Sequence, residues 1–263
     1  MQSFEDNYRL FGENEYLELG ISSVLGNRDQ QQDSAGFELN RDEALVLVCD
    51  GMGGHAGGQR ASRLAASLLL KTYREEYPCP DPHSWLVDLA AEADYAVAAL
   101  KDESGQLLRA GSTVVAVLIR GRQLYWLSVG DSRIYLYRDG ELVRATTDHN
   151  YQLVLQAQLE SGEIDEAAFR AQSKKGEALV SFLGVNGLPI VASNERPFEL
   201  RSGDMVLLTS DGLYRLLTDE NMEQILQNFV KVPDALTALE ARASSCGKNK
   251  VRDNMTVSII KIK

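Results

Sequence analysis

Sulfur is scarce in this chain. Its three cysteines, Cys49, Cys79 and Cys246, are odd in number and far apart, with no CxxC pair or histidine cluster beside them. Neither a disulfide framework nor a cysteine-based zinc site is therefore expected. Long apolar runs are also missing. None approaches the roughly 18–20 residues that cross a bilayer, and the opening MQSFEDNYRL lacks the basic-then-apolar build of a signal peptide. Basic charge is in deficit, with 27 Lys and Arg against 38 Asp and Glu, a formal net charge of −11. Gripping nucleic acid or an anionic membrane takes clustered cations, so neither partner is expected, and the protein is expected in the cytoplasm. Carboxylates gathered around cations suit this charge better.

What remains is the composition of an ordinary globule, 44% hydrophobic and 25% charged over 263 residues, enough for one sizeable core. Apolar runs rich in β-branched residues fall at 16–25, 44–49, 112–119, 123–129, 133–137, 205–209 and 255–260. Their close succession predicts mostly antiparallel pairing. Helical periodicity appears at 59–77, where Ala61, Leu64, Ala65, Leu68 and Leu69 share a face, and again at 84–100. A third helix is predicted from the N-cap Thr218, burying Met222, Ile225, Leu226 and Phe229, and a fourth over 233–244. With no repeat and no low-complexity linker, residues 1–263 read as one α+β domain; the 150–187 stretch is the least regular.

Three apolar runs finish in an aspartate, at Asp50, Asp131 and Asp211, and a fourth is entered through Asp253. Singly, each is ordinary turn chemistry. Together, strand ends of one sheet system bring carboxylates close enough to need cations between them, and an oxygen-only set selects Mg²⁺ or Mn²⁺ over zinc. The glycine-rich stretch 51–58 competes as a phosphate-cradling loop. It fails, because Gln59-Arg60 stand where a P-loop needs Lys and Ser or Thr, and no second strand follows the helix as a dinucleotide fold requires. The glycines serve better to let backbone, Gly51 above all, approach a metal closely. Upstream, Arg28 precedes Asp33 by five residues, a polar loop in isolation but a phosphate fork beside a metal-holding carboxylate in this company.

In order, the chain carries Arg28 to Asp33, VCDGMGGHAGG at 48–58, GSTVV at 111–115, VGDSRIYL at 129–136, TTDHN at 146–150, LTSDGL at 208–213 and RDNMTV at 252–257. In these motifs it resembles the bacterial form of the protein phosphatase 2C family, the metal-dependent PPM phosphatases. The resemblance implies a four-layer αββα sandwich of two antiparallel sheets flanked by antiparallel helices. It also implies a serine/threonine phosphatase that opposes a serine/threonine kinase, acts on phosphorylated proteins and works as a monomer. Two Mn²⁺ or Mg²⁺ ions, with a third and weaker one, follow from the same source. Asp50 would bridge two ions, the Gly51 carbonyl would serve one, Asp211 and Asp253 would complete the shell of the first metal, Asp33 would hold the cluster directly or through water, and Asp131 would hold the third ion. Arg28 would bind phosphate while water activated between the cations attacks phosphorus.

Two departures stand out. Met52 takes the place of a histidine that serves many eukaryotic members as a candidate acid, leaving His55 as the nearby alternative, and Gln32 replaces a glutamate common before the aspartate. The 150–187 stretch corresponds to the family's variable flap, the expected seat of substrate choice. A non-catalytic phosphoprotein-docking module and a small-molecule phosphoesterase are the rival readings.

Overall fold

A computed structural model describes residues 6–54, 56–246 and 252–263. Strands β1 (Tyr8–Glu13), β2 (Leu17–Val24), β3 (Asp33–Leu39) and β4 (Glu43–Gly53) lead into helices α1 (Gly57–Glu76) and α2 (Pro82–Ala98). Then come β5 (Ala110–Ser112), β6 (Val114–Arg120), β7 (Gln123–Val129), β8 (Arg133–Arg138) and β9 (Glu141–Arg144). Helices α3 (Tyr151–Glu160) and α4 (Glu166–Gln172) precede the short strands β10 (Ala192–Ser193) and β11 (Phe198–Glu199). The chain finishes through β12 (Met205–Thr209), α5 (Asp211–Tyr214), α6 (Asp219–Asn228), α7 (Val232–Cys246) and β13 (Met255–Ile262).

Two antiparallel sheets result. One runs β1-β2-β13-β12-β8-β9, the other β10-β7-β6-β4-β3, with β5 against β4 and β11 against β7. The central strands are apolar on both faces, which is why they read as continuous runs. In β4, Leu45, Leu47 and Cys49 pack with α1 and α2, while Ala44, Val46 and Val48 enter the layer between the sheets. In β12, Val206 and Leu208 enter that same layer, and Met205 and Leu207 face α6 and α7. Three apolar layers therefore separate four of secondary structure, the expected αββα sandwich. No helix among the described residues is long and apolar enough to cross a membrane.

Differences from expectation concentrate at edges. β1, β3 and β9 border their sheets, and their polar or glycine-containing sequences blur the apolar run. The predicted strand at 112–119 is broken at Thr113 into β5 and β6. Thr218 caps α6 as predicted, its side chain accepting the Asn221 N–H.

Candidate metal centre

Asp33 opens β3 directly opposite Asp50 in β4. Strand parity turns both side chains toward the other sheet, as it does Ala35 and Val48. Opposed side chains in an antiparallel pair lie about 4.5–5.5 Å apart at Cβ, and like charges there repel. The second sheet reaches across to them. Ser210, just past β12, donates its hydroxyl to Asp33 Oδ2 at 2.7 Å and accepts the Thr256 N–H at 3.0 Å. Burial raises the Asp33 carboxyl to about 7, helped by the charges of Asp211 and Asp253 and opposed by the hydrogen bonds from Ser210 and Thr256. Asp50 is pushed well above the usual carboxylate range, first by desolvation and then by Asp33, Asp211, Asp131 and Asp253. All five aspartates thus share one electrostatic site.

Their backbones are held by short polar side chains. The break at Thr113 has its reason here. Its N–H donates to the Asp50 carbonyl at 2.8 Å, its Oγ1 accepts the Asp50 N–H at 3.0 Å, and Ser112 Oγ donates to the same carbonyl at 3.1 Å. Gly51 lies against the first turn of α1. A Cβ on it would sit 2.1 Å from the Gly58 carbonyl oxygen, so the contact requires glycine. Asn254 holds the loop that carries Arg28. Its Nδ2 donates to the carbonyls of Leu25 and Gln30 at 2.9 and 3.1 Å, and its Oδ1 accepts the Gln32 N–H at 2.9 Å. His149, of the TTDHN motif, is buried and brackets Gly130: its N–H donates to the Gly130 carbonyl at 2.9 Å, and its Nδ1 accepts the Gly130 N–H at 3.2 Å. It thereby positions Asp131. Burial, Asp211 and Asp148 raise the Asp131 carboxyl to about 6, against the pull of Arg215.

Two guanidiniums answer this negative charge. Arg28 Nη2 lies 2.6 Å from Asp253 Oδ2. Arg215 Nε lies 2.8 Å from Asp211 Oδ2, and its Nη1 reaches Glu177, in the 150–187 stretch, at 3.0 Å. Among the described residues no three His, Cys, Asp or Glu side chains are gathered on one point. The chemistry of the donor set, carboxylate and carbonyl oxygen only, still fits a hard divalent cation. His55 lies outside the described residues.

A model of the family described as protein phosphatase 2C matches residues 22–254. The chain belongs to the protein phosphatase 2C family. It is 30% identical over 237 residues to the serine/threonine phosphatase stp of Listeria monocytogenes, covering 89% of this chain and 90% of that protein. Among solved structures it is similar to the Mycobacterium tuberculosis serine/threonine phosphatase PstP/Ppp, at 30% identity, TM-score 0.75, and coverage of 94% of this chain and 99% of that one. The PstP catalytic domain in complex with 2 manganese ions superposes at TM-score 0.73 and 30% identity, covering 94% of this chain and 98% of that one. The S. agalactiae serine/threonine phosphatase, at 24% identity and TM-score 0.78 over 94% of this chain and all of that one, shares the fold. Within this family and beside these relatives, the chain is a protein-serine/threonine phosphatase.

A pH dependence follows for this phosphatase when chelated. Folded Asp33 holds a proton that an unfolded carboxyl, near ~3.9, has already lost, so stability falls as pH rises from about 4 to about 7. Thermal unfolding in EDTA is expected to show a midpoint descending through that window, and Asp33→Asn should flatten the descent. An equally steep descent in that variant would refute the assignment to Asp33.

Proposed function

We propose that the phosphatase hydrolyses phosphoserine and phosphothreonine in proteins at a dinuclear Mn²⁺ or Mg²⁺ centre, opposing a serine/threonine kinase as a cytoplasmic monomer. In this reading residues 1–263 form one catalytic domain and 150–187 its flap. The observation that carries it is the opposed Asp33–Asp50 pair, Asp33 buried between the sheets and Asp50 half-buried beside it, within the field of Asp131, Asp211 and Asp253. Such a cluster is costly without cations and is preorganised for them.

Asp50 would hold two cations, with the Gly51 carbonyl, Asp211 and Asp253 serving one of them, Asp33 securing the cluster directly or through water and Asp131 serving a third ion. When bound, the cations supply an acidified water and neutralise the phosphoryl oxygens. The protein's own groups do the rest. Thr113 and Ser112 hold the Asp50 backbone, and with it the place from which its carboxylate projects. Arg28, half-exposed and paired with Asp253, presents two N–H donors to the phosphate once Asp253 turns to metal. Asn254 sets the loop from which Arg28 reaches.

The test is release of inorganic phosphate from a phosphothreonine peptide, with Mn²⁺ and then with EDTA. Release that depends on metal is the expected result. A folded protein that binds metal and releases nothing would be the phosphoprotein-docking module instead.

A further inference from the structure

Beside the centre lies a cavity of about 710 Å³, within the ~300–1,000 Å³ range of built ligand sites. Its floor continues the strand that carries Asp50 and Gly51. Met52 and Gly53 of β4 pair with Gly111 and Ala110 of β5, and Phe182 lies so close over Gly111 that a Cβ there would meet its ring at 2.5 Å. The opposite wall is the end of α2, with Tyr95 58% exposed, and Leu107, 64% exposed, stands at the rim. These are two of the few large apolar side chains left in water among the described residues. Arg109 is the one cationic side chain among the described residues that line the cavity.

The Phe182 wall is built rather than incidental. The buried carboxylate of Asp94, on α2, accepts the N–H groups of Gly184, Asn186 and Gly187 at 2.7, 3.2 and 2.6 Å, and Leu183 exchanges backbone hydrogen bonds with Ser112 at 2.8 and 3.0 Å. The groove is thus tied to the residue that grips Asp50.

Building on the phosphatase reading, we propose that this groove takes the bulky apolar side chain of a substrate segment flanking its phosphorylated residue. Two arguments select that occupant. The first is continuity: Met52 lies two residues along the strand from Asp50, about 7 Å, so an extended peptide with its phosphate at the centre lays a neighbouring side chain over the groove. The second is charge. Arg28 and the proposed cations answer the phosphate itself, but a chain of net charge −11 offers little long-range attraction to the rest of a phosphopeptide, so recognition of its flank has to come from contacts that do not depend on opposite charge. An apolar groove with a single arginine supplies them. The substrates are accordingly phosphoserine or phosphothreonine segments with Leu, Ile, Met or Phe within about three residues of the phosphate.

The experiment compares phosphothreonine peptides carrying Leu or Ser at successive flanking positions, with Mn²⁺, and sets kcat/KM against hydrolysis of p-nitrophenyl phosphate, which has no flank. The wild-type protein is expected to favour a Leu peptide by about tenfold or more at one or two positions. A Tyr95→Glu, Leu107→Glu double variant, altered only at exposed side chains, is expected to bring that preference close to one. Equal rates on Leu and Ser peptides, or a preference that survives the double variant, would overturn the proposal while p-nitrophenyl phosphate turnover leaves the phosphatase reading standing. A concentration-dependent dimer dispersed by the double variant would assign the groove to a second copy instead. No turnover of either substrate would bring down both readings together.

Discussion

An Asp50→Asn variant is expected to be nearly inactive and, in chelator, more stable than the wild type. Asp50 feels every other carboxylate of the site and is the proposed bridge, so its loss removes a ligand from both ions at once. Turnover of a phosphothreonine peptide with Mn²⁺ should fall by about three orders of magnitude, equivalent to ~4 kcal/mol of transition-state stabilisation. Stability should move the other way. The amide keeps the shape of the side chain and ends a like-charge confrontation with Asp33 across the β3–β4 pair. Relief of about 1 kcal/mol would raise the thermal midpoint in EDTA by roughly 2–4 °C. With excess Mn²⁺ the order should invert, because only the wild type gains binding energy on folding. A variant that turns over normally, or melts lower in EDTA, would remove Asp50 from the bridging position.

The other large effect concerns Gly212, the second residue of α5, where a Cβ would stand 1.9 Å from the Asn254 carbonyl oxygen. Both sides of that contact are backbone, so no side chain can swing aside. Gly212→Ala must push the segment entering β13 away from α5. That segment holds Asp253 and, through Asn254, the Arg28 loop, so geometry is lost at three proposed functional residues together. Overpacking here belongs at the upper end of its usual range, ~3 kcal/mol, which for a chain of this length lowers the midpoint by about 6–12 °C. Gly54→Ala is the internal control, since its added Cβ would meet nothing within 4 Å. Equal midpoints for the two alanine variants would show that the Gly212 contact carries no strain.

How far the sequence discloses this molecule depends on where each element sits. β2, β4, β7, β12 and β13 are interior, bury both faces and announce themselves as apolar runs. β1, β3 and β9 border the sheets, alternate or carry glycine and charge, and pass unnoticed, although β3 delivers Asp33. α5 is four residues long and begins with Asp-Gly, so its local signal is that of a turn. Asp50, Asp131, Asp211 and Asp253 stand out in the sequence because each sits at an apolar boundary, whereas Asp33 is singled out only by its spacing after Arg28. Their supporting residues, Thr113, Ser210, Asn254 and the ring of His149, were not, because hydrogen bonds between residues distant in sequence leave no spacing to read. The same holds for Arg215, whose bond to Asp211 is local but whose bond to Glu177 depends on how the 150–187 stretch folds back.

β13 lies between β2 and β12, pairing with both. A strand far along the chain from β1 and β2 is therefore central to their sheet, and Asp253 stands at its entrance. During synthesis, β1–β2 and β12–β8–β9 remain two ribbons with raw edges until β13 slots between them. Before that moment Asp33 has no Thr256 nearby to anchor Ser210, Arg28 has no Asp253, and its loop has no Asn254. Dephosphorylating power would thus wait on β13 and arrive all at once. A partly translated copy on the ribosome would be silent, and loss of residues 253–263 should leave no partial activity.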